Sequence, residues 1–199
     1  MVYRRGTLYK RKKNERGTLK LIPIKNGYIK ATIGFHRDDF VSNKLGLYDS
    51  NIILKKTLHY KKNKINTERI KSEIQNMGGH ISFIADTTNI IIADPTNKPI
   101  IKIFDHNGKL VNKIVHNYPK NIITDSFKKI FIENRIQNTS NKDMKDYLKQ
   151  TKNSFPKYFP PFAHVFTSKK TIYVFRYMTD FYKYEVWAMT KRGEIKKKL

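Results

Sequence analysis

Four short clusters carry residue types able to do chemistry. His36, Arg37, Asp38 and Asp39 stand consecutively. An imidazole beside two carboxylates can hold a cation or move a proton, although the same residues also make a solvated loop with local ion pairing. Lys157, Tyr158 and Phe159 lie between Pro156 and the pair Pro160-Pro161. Rings held by prolines suit a platform for a sugar or peptide, or a plug that anchors a loop to sheet edges. Arg176, Tyr177 and Asp180 form a third group, readable as a ligand contact or as hairpin-end residues. Basic residues interleave with rings at Tyr9-Lys10-Arg11-Lys12-Lys13 and His59-Tyr60-Lys61-Lys62. That pattern can stack and neutralise single-stranded nucleic acid, or serve as a solvated arm or linker.

No motif raises any of these to a catalytic centre. The 9 glycines never fall in G-x-G-x-x-G or P-loop spacing. No serine sits in G-x-S-x-G. The six histidines (36, 59, 80, 106, 116, 164) show no H-x-x-x-H or H-E-x-x-H. With 0 cysteines, thiolate metal sites, iron–sulfur clusters, disulfides and cysteine nucleophiles are all excluded. The residues therefore point to no catalytic group, no metal and no cofactor, and to a binding protein before an enzyme. A hydrolase or lyase with a dispersed site is a third reading without a motif behind it.

Charge is the strongest compositional feature. Lys+Arg number 41 against 16 Asp+Glu, a formal net charge of +25 over 199 residues. Lysine accounts for 32 of the 41 and arginine for 9. Dedicated nucleic-acid readers favour arginine, whose planar fork grips phosphates and guanine edges. The lysines are also scattered, and isoleucine and asparagine abound, as AT-rich coding produces. Compositional drift and a selected polyanion surface both fit, and salt-sensitive binding to polyanions follows from either. Hydrophobic residues make up 39% and aromatics 13%, enough for a packed core. No apolar run approaches the ~20 residues of a membrane-spanning helix. The segment MVYRRGTLYKRKKNERG has basic residues without an apolar h-region, so no signal peptide is read from it.

The elements that must position these clusters are short strands. In the middle of the chain Ile81–Ala85, Ile90–Ala93, Ile100–Phe104 and Leu110–Val115 are separated by Asp/Asn/Gly/Pro turns, the pattern of an antiparallel meander. Ala163–Thr167, Ile172–Arg176, Tyr182–Met189 and Glu194–Leu199 repeat it. A weaker copy comprises Leu19–Pro23, Tyr28–Phe35, Lys44–Tyr48 and Ile52–His59. Ile90-Ile91-Ile92 aligns with Ile172-Tyr173-Val174, Gly108 with Gly193, and Asp49 with Asp105. Repeated four-strand units of roughly 40 residues predict propeller blades. The expected fold is all-β: a single partial propeller domain over residues 1–199, with units at about 19–59, 80–116 and 163–199.

Residues 117–162 differ in character and predict a helical insertion over about Ile122–Gln150. Thr124 can cap a helix with Asp125 in its first turn, followed by Phe127, Ile130 and Phe131 on one stripe. A second helix starts at Ser140 or Asn141, with Met144, Tyr147 and Leu148 on its stripe, and prolines end it. The connector Tyr60–His80 carries a further helix from Asn66 or Thr67 to Gln75.

The string from Phe155 to Phe162 entering a strand, the turn Asp105-His106-Asn107-Gly108-Lys109 and the insert opening at Ile123-Thr124-Asp125 together resemble the bacterial six-bladed β-propeller family related to NHL-repeat proteins. Members are commonly about twice this long and often carry an export signal. The resemblance thus implies either part of a longer propeller, with further blades outside this chain, or a half propeller that self-associates. It also implies a cell-envelope location that the chain's own residues do not indicate. In such meanders alternate connections share a face. The turns at Lys25–Gly27, Asp49–Asn51, Asp86–Thr88, Asp105–Gly108, Ser168–Lys170 and Lys191–Gly193 are short. The connections at His36–Asn43, Tyr60–His80, Asp94–Pro99, Asn117–Phe162 and Tyr177–Phe181 are long. The long-loop face is the expected binding surface, carrying His36, Arg37, Asp38, Asp39, Lys157, Tyr158, Arg176, Tyr177 and Asp180. The preferred function is non-catalytic binding of a protein, peptide or glycan there. The alternative is a basic nucleic-acid-binding protein.

Overall fold

The computed structural model describes residues 3–4, 7–8, 17–35, 40–64, 81–95, 99–140, 142–150, 155–168, 170–179 and 183–199. The chain divides into two compact units, Met1–Ile65 and Asn66–Leu199. The first holds a two-stranded ladder, β1 (Tyr3–Arg4) with β2 (Thr7–Leu8), and a four-stranded antiparallel sheet in sequential order. Its strands are β3 (Gly17–Ile24), β4 (Gly27–Phe35), β5 (Phe40–Tyr48) and β6 (Leu54–Lys64). Alternation decides its buried face: Ile29 lies opposite Leu47 and Ala31 opposite Leu45, and all four are buried.

The second unit holds two further meanders. One is β7 (Ser82–Ala85), β8 (Asn89–Asp94), β9 (Ile100–Asp105) and β10 (Leu110–Val115). The other is β11 (His164–Ser168), β12 (Thr171–Tyr177), β13 (Tyr184–Thr190) and β14 (Ile195–Lys198). Both keep sequential antiparallel order. The fold is therefore all-β, with three four-stranded sheets and two helices among the described residues, and the strands fall within a few residues of those expected in these two meanders.

Two expected boundaries differ by several residues. Lys44 and His59 are not strand ends, because β5 begins at Phe40 and β6 runs on to Lys64, with Tyr60 opposite Lys44 and Lys64 opposite Phe40. Lysines and asparagines have little intrinsic strand preference, and here cross-strand pairing overrides it. The connection between β4 and β5 is consequently residues 36–39, shorter than the loop His36–Asn43. The helix expected over Asn66–Gln75 lies outside the described residues.

The two sheets of the second unit share one core. Ile91, Ala93, Ile101, Ile103 and Ile114 of one meet Val165, Ile172, Val174, Trp187 and Met189 of the other, closed by Tyr118 and Phe162. On β8, Ile90, Ile91, Ile92 and Ala93 are all buried, at 0, 0, 1 and 0% exposure. Both faces of that strand are thus covered, the burial that a continuous apolar run requires. β12 instead alternates, burying Ile172, Val174 and Arg176 while Thr171, Tyr173, Phe175 and Tyr177 stay half-buried.

The insertion forms α1 (Asp125–Gln137) and α2 (Lys142–Gln150). Thr124 is the N-cap: its Oγ1 accepts the Phe127 amide at 3.2 Å. Phe127 and Ile132 are the buried residues of α1, and Leu148 is that of α2. Among the described residues no helix is long and apolar enough to cross a membrane.

Candidate functional site

The residues singled out on the long-connection side meet three different fates. Lys157 is exposed and Tyr158 half-buried. A bridge between Tyr158 and Ile122 ties the start of the insertion to its end. Two backbone bonds reinforce it, Ile123 N to Lys157 O at 3.1 Å and Phe159 N to Asn121 O at 2.9 Å. This places Lys120 Nζ and Lys157 Nζ 5.3 and 5.4 Å from the centre of the Tyr158 ring. Ile122 beside them is 51% exposed. The cluster presents two cations, one ring and one aliphatic side chain to solvent. Phe159 points inward, packed edge-on against Phe127 at 4.8 Å and stacked on Tyr177 at 5.1 Å. It anchors the helices, while its neighbours Lys157 and Tyr158 remain at the surface.

Arg176 is 3% exposed. Its guanidinium pairs with Glu185 and donates to the carbonyls of Pro161, at 3.2 Å, and Pro119. The faces of Trp187 and Tyr118 lie 4.8 and 5.8 Å away. A buried cation needs this complete set of partners. Arg176 thus locks both ends of the insertion onto β12 and β13. Around it, Tyr118 Oη and Trp187 Nε1 are buried and take no hydrogen bond among the described residues. Burial pushes the Tyr118 hydroxyl up to about 12, with Arg176 opposing. Tyr177 likewise rises to about 12, through burial and then the Tyr184 hydroxyl beside it. Neither phenol ionises near neutral pH. His36, Arg37, Asp38, Asp39 and Asp180 lie outside the described residues, as do residues 9–13.

The short-turn side is not bare. Asp86 accepts from the amides of Thr88 and Asn89 at 2.9 and 2.8 Å, and pairs with Lys191 Nζ at 2.7 Å. Lys191 also donates to Asn89 Oδ1 at 2.6 Å, and its carbonyl accepts from Asn112 Nδ2 at 2.7 Å. His106 Nε2 donates to the Asp86 carbonyl at 2.9 Å. The bonds of Lys191 clamp the two sheets of the second unit together at their turns. Burial would raise the Asp86 carboxyl, but the Lys191 ammonium and the two amides outweigh it and hold the group below 3.8. In the first unit an open depression of about 520 Å³ lies among Pro23, Lys25, Asn26, Tyr28 and Ser50. Concave surface is therefore not confined to the long-connection side.

A further set of residues escaped the sequence reading. Cross-strand register puts Phe166, Tyr173, Ala188 and Lys197 in one row, and His164, Phe175 and Val186 in the next. Tyr177 and Tyr184 make a third. These rows are the face of the β11–β14 sheet opposite its core. His164 stacks on Phe175 at 4.5 Å and meets Tyr184 edge-on at 5.7 Å. Burial holds the His164 imidazole below 6.5, so it is mainly neutral at pH 7. The available signal was period two: rings at 164 and 166, then at 173, 175 and 177, where a solvent face would carry polar residues.

Among the described residues no group of three or more His, Cys, Asp or Glu is placed to hold a metal ion. In comparisons with known proteins, no family model, no curated protein and no solved structure matches this chain. Its own geometry is therefore what bears on function.

Proposed function

We propose that the chain is a non-catalytic binding module built from propeller-type blades, which takes a protein or peptide partner on its long-connection side. One observation carries the blade reading: the corner between third and fourth strands is the same structure three times. Asp49 Oδ1 accepts the amides of Asn51 and Ile53 at 3.0 and 2.9 Å. Asp105 Oδ1 accepts those of Asn107 and Lys109 at 2.9 and 2.8 Å. Thr190 Oγ1 accepts those of Arg192 and Glu194, both at 3.2 Å. In each corner the residue three positions on has positive φ and bonds back to the first carbonyl: Ile52, Gly108 and Gly193, all at 3.0 Å.

Recurrence of one corner in three sequential meanders is how blade repeats are built. The face-to-face packing within the second unit supports the same reading. There the first strands β7 and β11 also approach, with the Val165 amide donating to Ser82 Oγ at 3.4 Å. The partner class follows from Ile122, Tyr158, Lys120 and Lys157, an aliphatic and aromatic patch with two cations, which suits an acidic peptide segment. Peptide-array binding compared between wild type and two variant sets tests this. The sets are Lys120→Ala with Lys157→Ala and Tyr158→Ala, against Lys25→Ala with His106→Ala and Lys109→Ala. Loss of bound acidic peptides in the first set is expected; loss confined to the second overturns the assignment.

A further inference from the structure

We propose that the outward face of the β11–β14 sheet binds single-stranded nucleic acid, with bases stacked on its rings and phosphates held by Lys197 and the lysines at its margin. This goes beyond the peptide site, since it uses a different surface and a different ligand chemistry. The face is paved with rings over two strands and the start of a third. Phe166 is 50% exposed and Tyr184 43%. Tyr173 and Phe175 lie half-buried, Tyr173 beside the Phe166 ring at 6.5 Å and Phe175 edge-on to Tyr184 at 6.3 Å. A large exposed ring on a sheet costs hydration free energy unless something covers it. Stacking on a base recovers that cost without demanding sequence.

Charge chooses among the occupants. No aspartate or glutamate stands in the described rows of this face, because Glu185 is turned to the other side and paired with Arg176. Lys197 shares the row of Phe166 and Tyr173, while exposed Lys170 leads into β12 and exposed Lys183 into β13. A second copy of the chain would bring +25 against +25, whereas a polyanion gains from the same field. The pairing of sheet-borne rings with flanking cations is the one by which β-sheet domains hold unstacked bases.

The test is fluorescence anisotropy with a labelled oligothymidylate of about 15 nucleotides, against heparin as a polyanion without bases, across a salt series. Phe166→Ala and Tyr184→Ala are each expected to raise Kd for the oligonucleotide about tenfold while leaving heparin binding within about twofold. Phe166→Trp should restore binding. Lys197→Ala should lower the slope of log Kd against log salt by about 0.7, one single-strand phosphate. Circular dichroism of each variant establishes that the sheets persist. Equal binding by wild type and the ring variants overturns the proposal, since charge alone then explains the affinity. So does an equal loss on heparin. Light scattering that shows a dimer, dissociated by Phe166→Ala, overturns it in favour of a second copy on this face. Failure here leaves the peptide-array result standing, because neither variant set there touches this face.

Discussion

Ile52 occupies a backbone conformation that the other two corners give to glycine. Its φ is 60°, against 78° at Gly108 and 94° at Gly193. A β-branched side chain in that region brings Cβ toward the following carbonyl, at about 1–2 kcal/mol. Ile52→Gly should therefore stabilise the first unit by about 1 kcal/mol, once the lost side-chain burial and the freer unfolded chain are set against the relieved strain. The converse substitution has two penalties. A Cβ on Gly193 would stand 2.9 Å from Ile114 Cγ2, in addition to its positive φ. Gly193→Ala should cost about 2 kcal/mol or more. Urea midpoints of the two variants check both signs.

Among the elements, α1 depends most visibly on a single local contact. The Thr124 hydroxyl caps it, Asp125 lies in its first turn and Arg135 in its last, each matching the sign of the helix dipole. Thr124→Ala should cost about 1 kcal/mol. Because Phe127 at the start of α1 packs on Phe159, protection from amide hydrogen exchange should fall first over residues 125–131. Uniform loss of protection across β11–β14 would instead mean that the cap supports the sheet and not just the helix. The strands need less local help. Asn107-Gly108 and the Asp105 carboxylate set the β9–β10 corner through hydrogen bonds that any chain with those residues can make.

Over the whole molecule, electrostatics pulls in two directions. A net charge of +25 opposes compaction and favours polyanions, while carboxylates are few and are used at corners and clamps. Asp86 joins two sheets through Lys191. Its folded value lies below 3.8, so the unfolded chain takes up a proton more readily. The resulting stability is complete above that ordinary value and is lost as pH falls through the folded one. Asp86→Asn should narrow the difference between urea midpoints at about pH 7 and pH 3, because the stability that wild type gains from this carboxylate declines once pH falls below 3.8. An unchanged difference would assign the acid sensitivity to other carboxylates, of which Asp49, lowered by the Ile53 amide and by Lys55, is the first to examine.

The amino-acid sequence by itself determined what local interactions decide. Asp, Asn, Gly and Thr at the corners, apolar β-branched runs between them and Thr124 ahead of Phe127 each act within a few residues. The three meanders, the insertion and the correspondence of Asp49 with Asp105 and of Gly108 with Gly193 were therefore legible. Where lysines make strand, as in Tyr60–Lys64, the sequence misled, because pairing with Phe40–Lys44 is a non-local choice. Only the tertiary structure decided which polar residues face inward. Arg176 and Tyr177 are neighbours in sequence, yet strand alternation and the prolines at 119 and 161 bury the guanidinium among carbonyls and send the phenol to the opposite face. The aromatic pavement has the same origin. Phe166, Tyr173 and Tyr184 belong to three strands, and only cross-strand register brings their rings onto one surface, since burial and charge depend on partners distant in sequence.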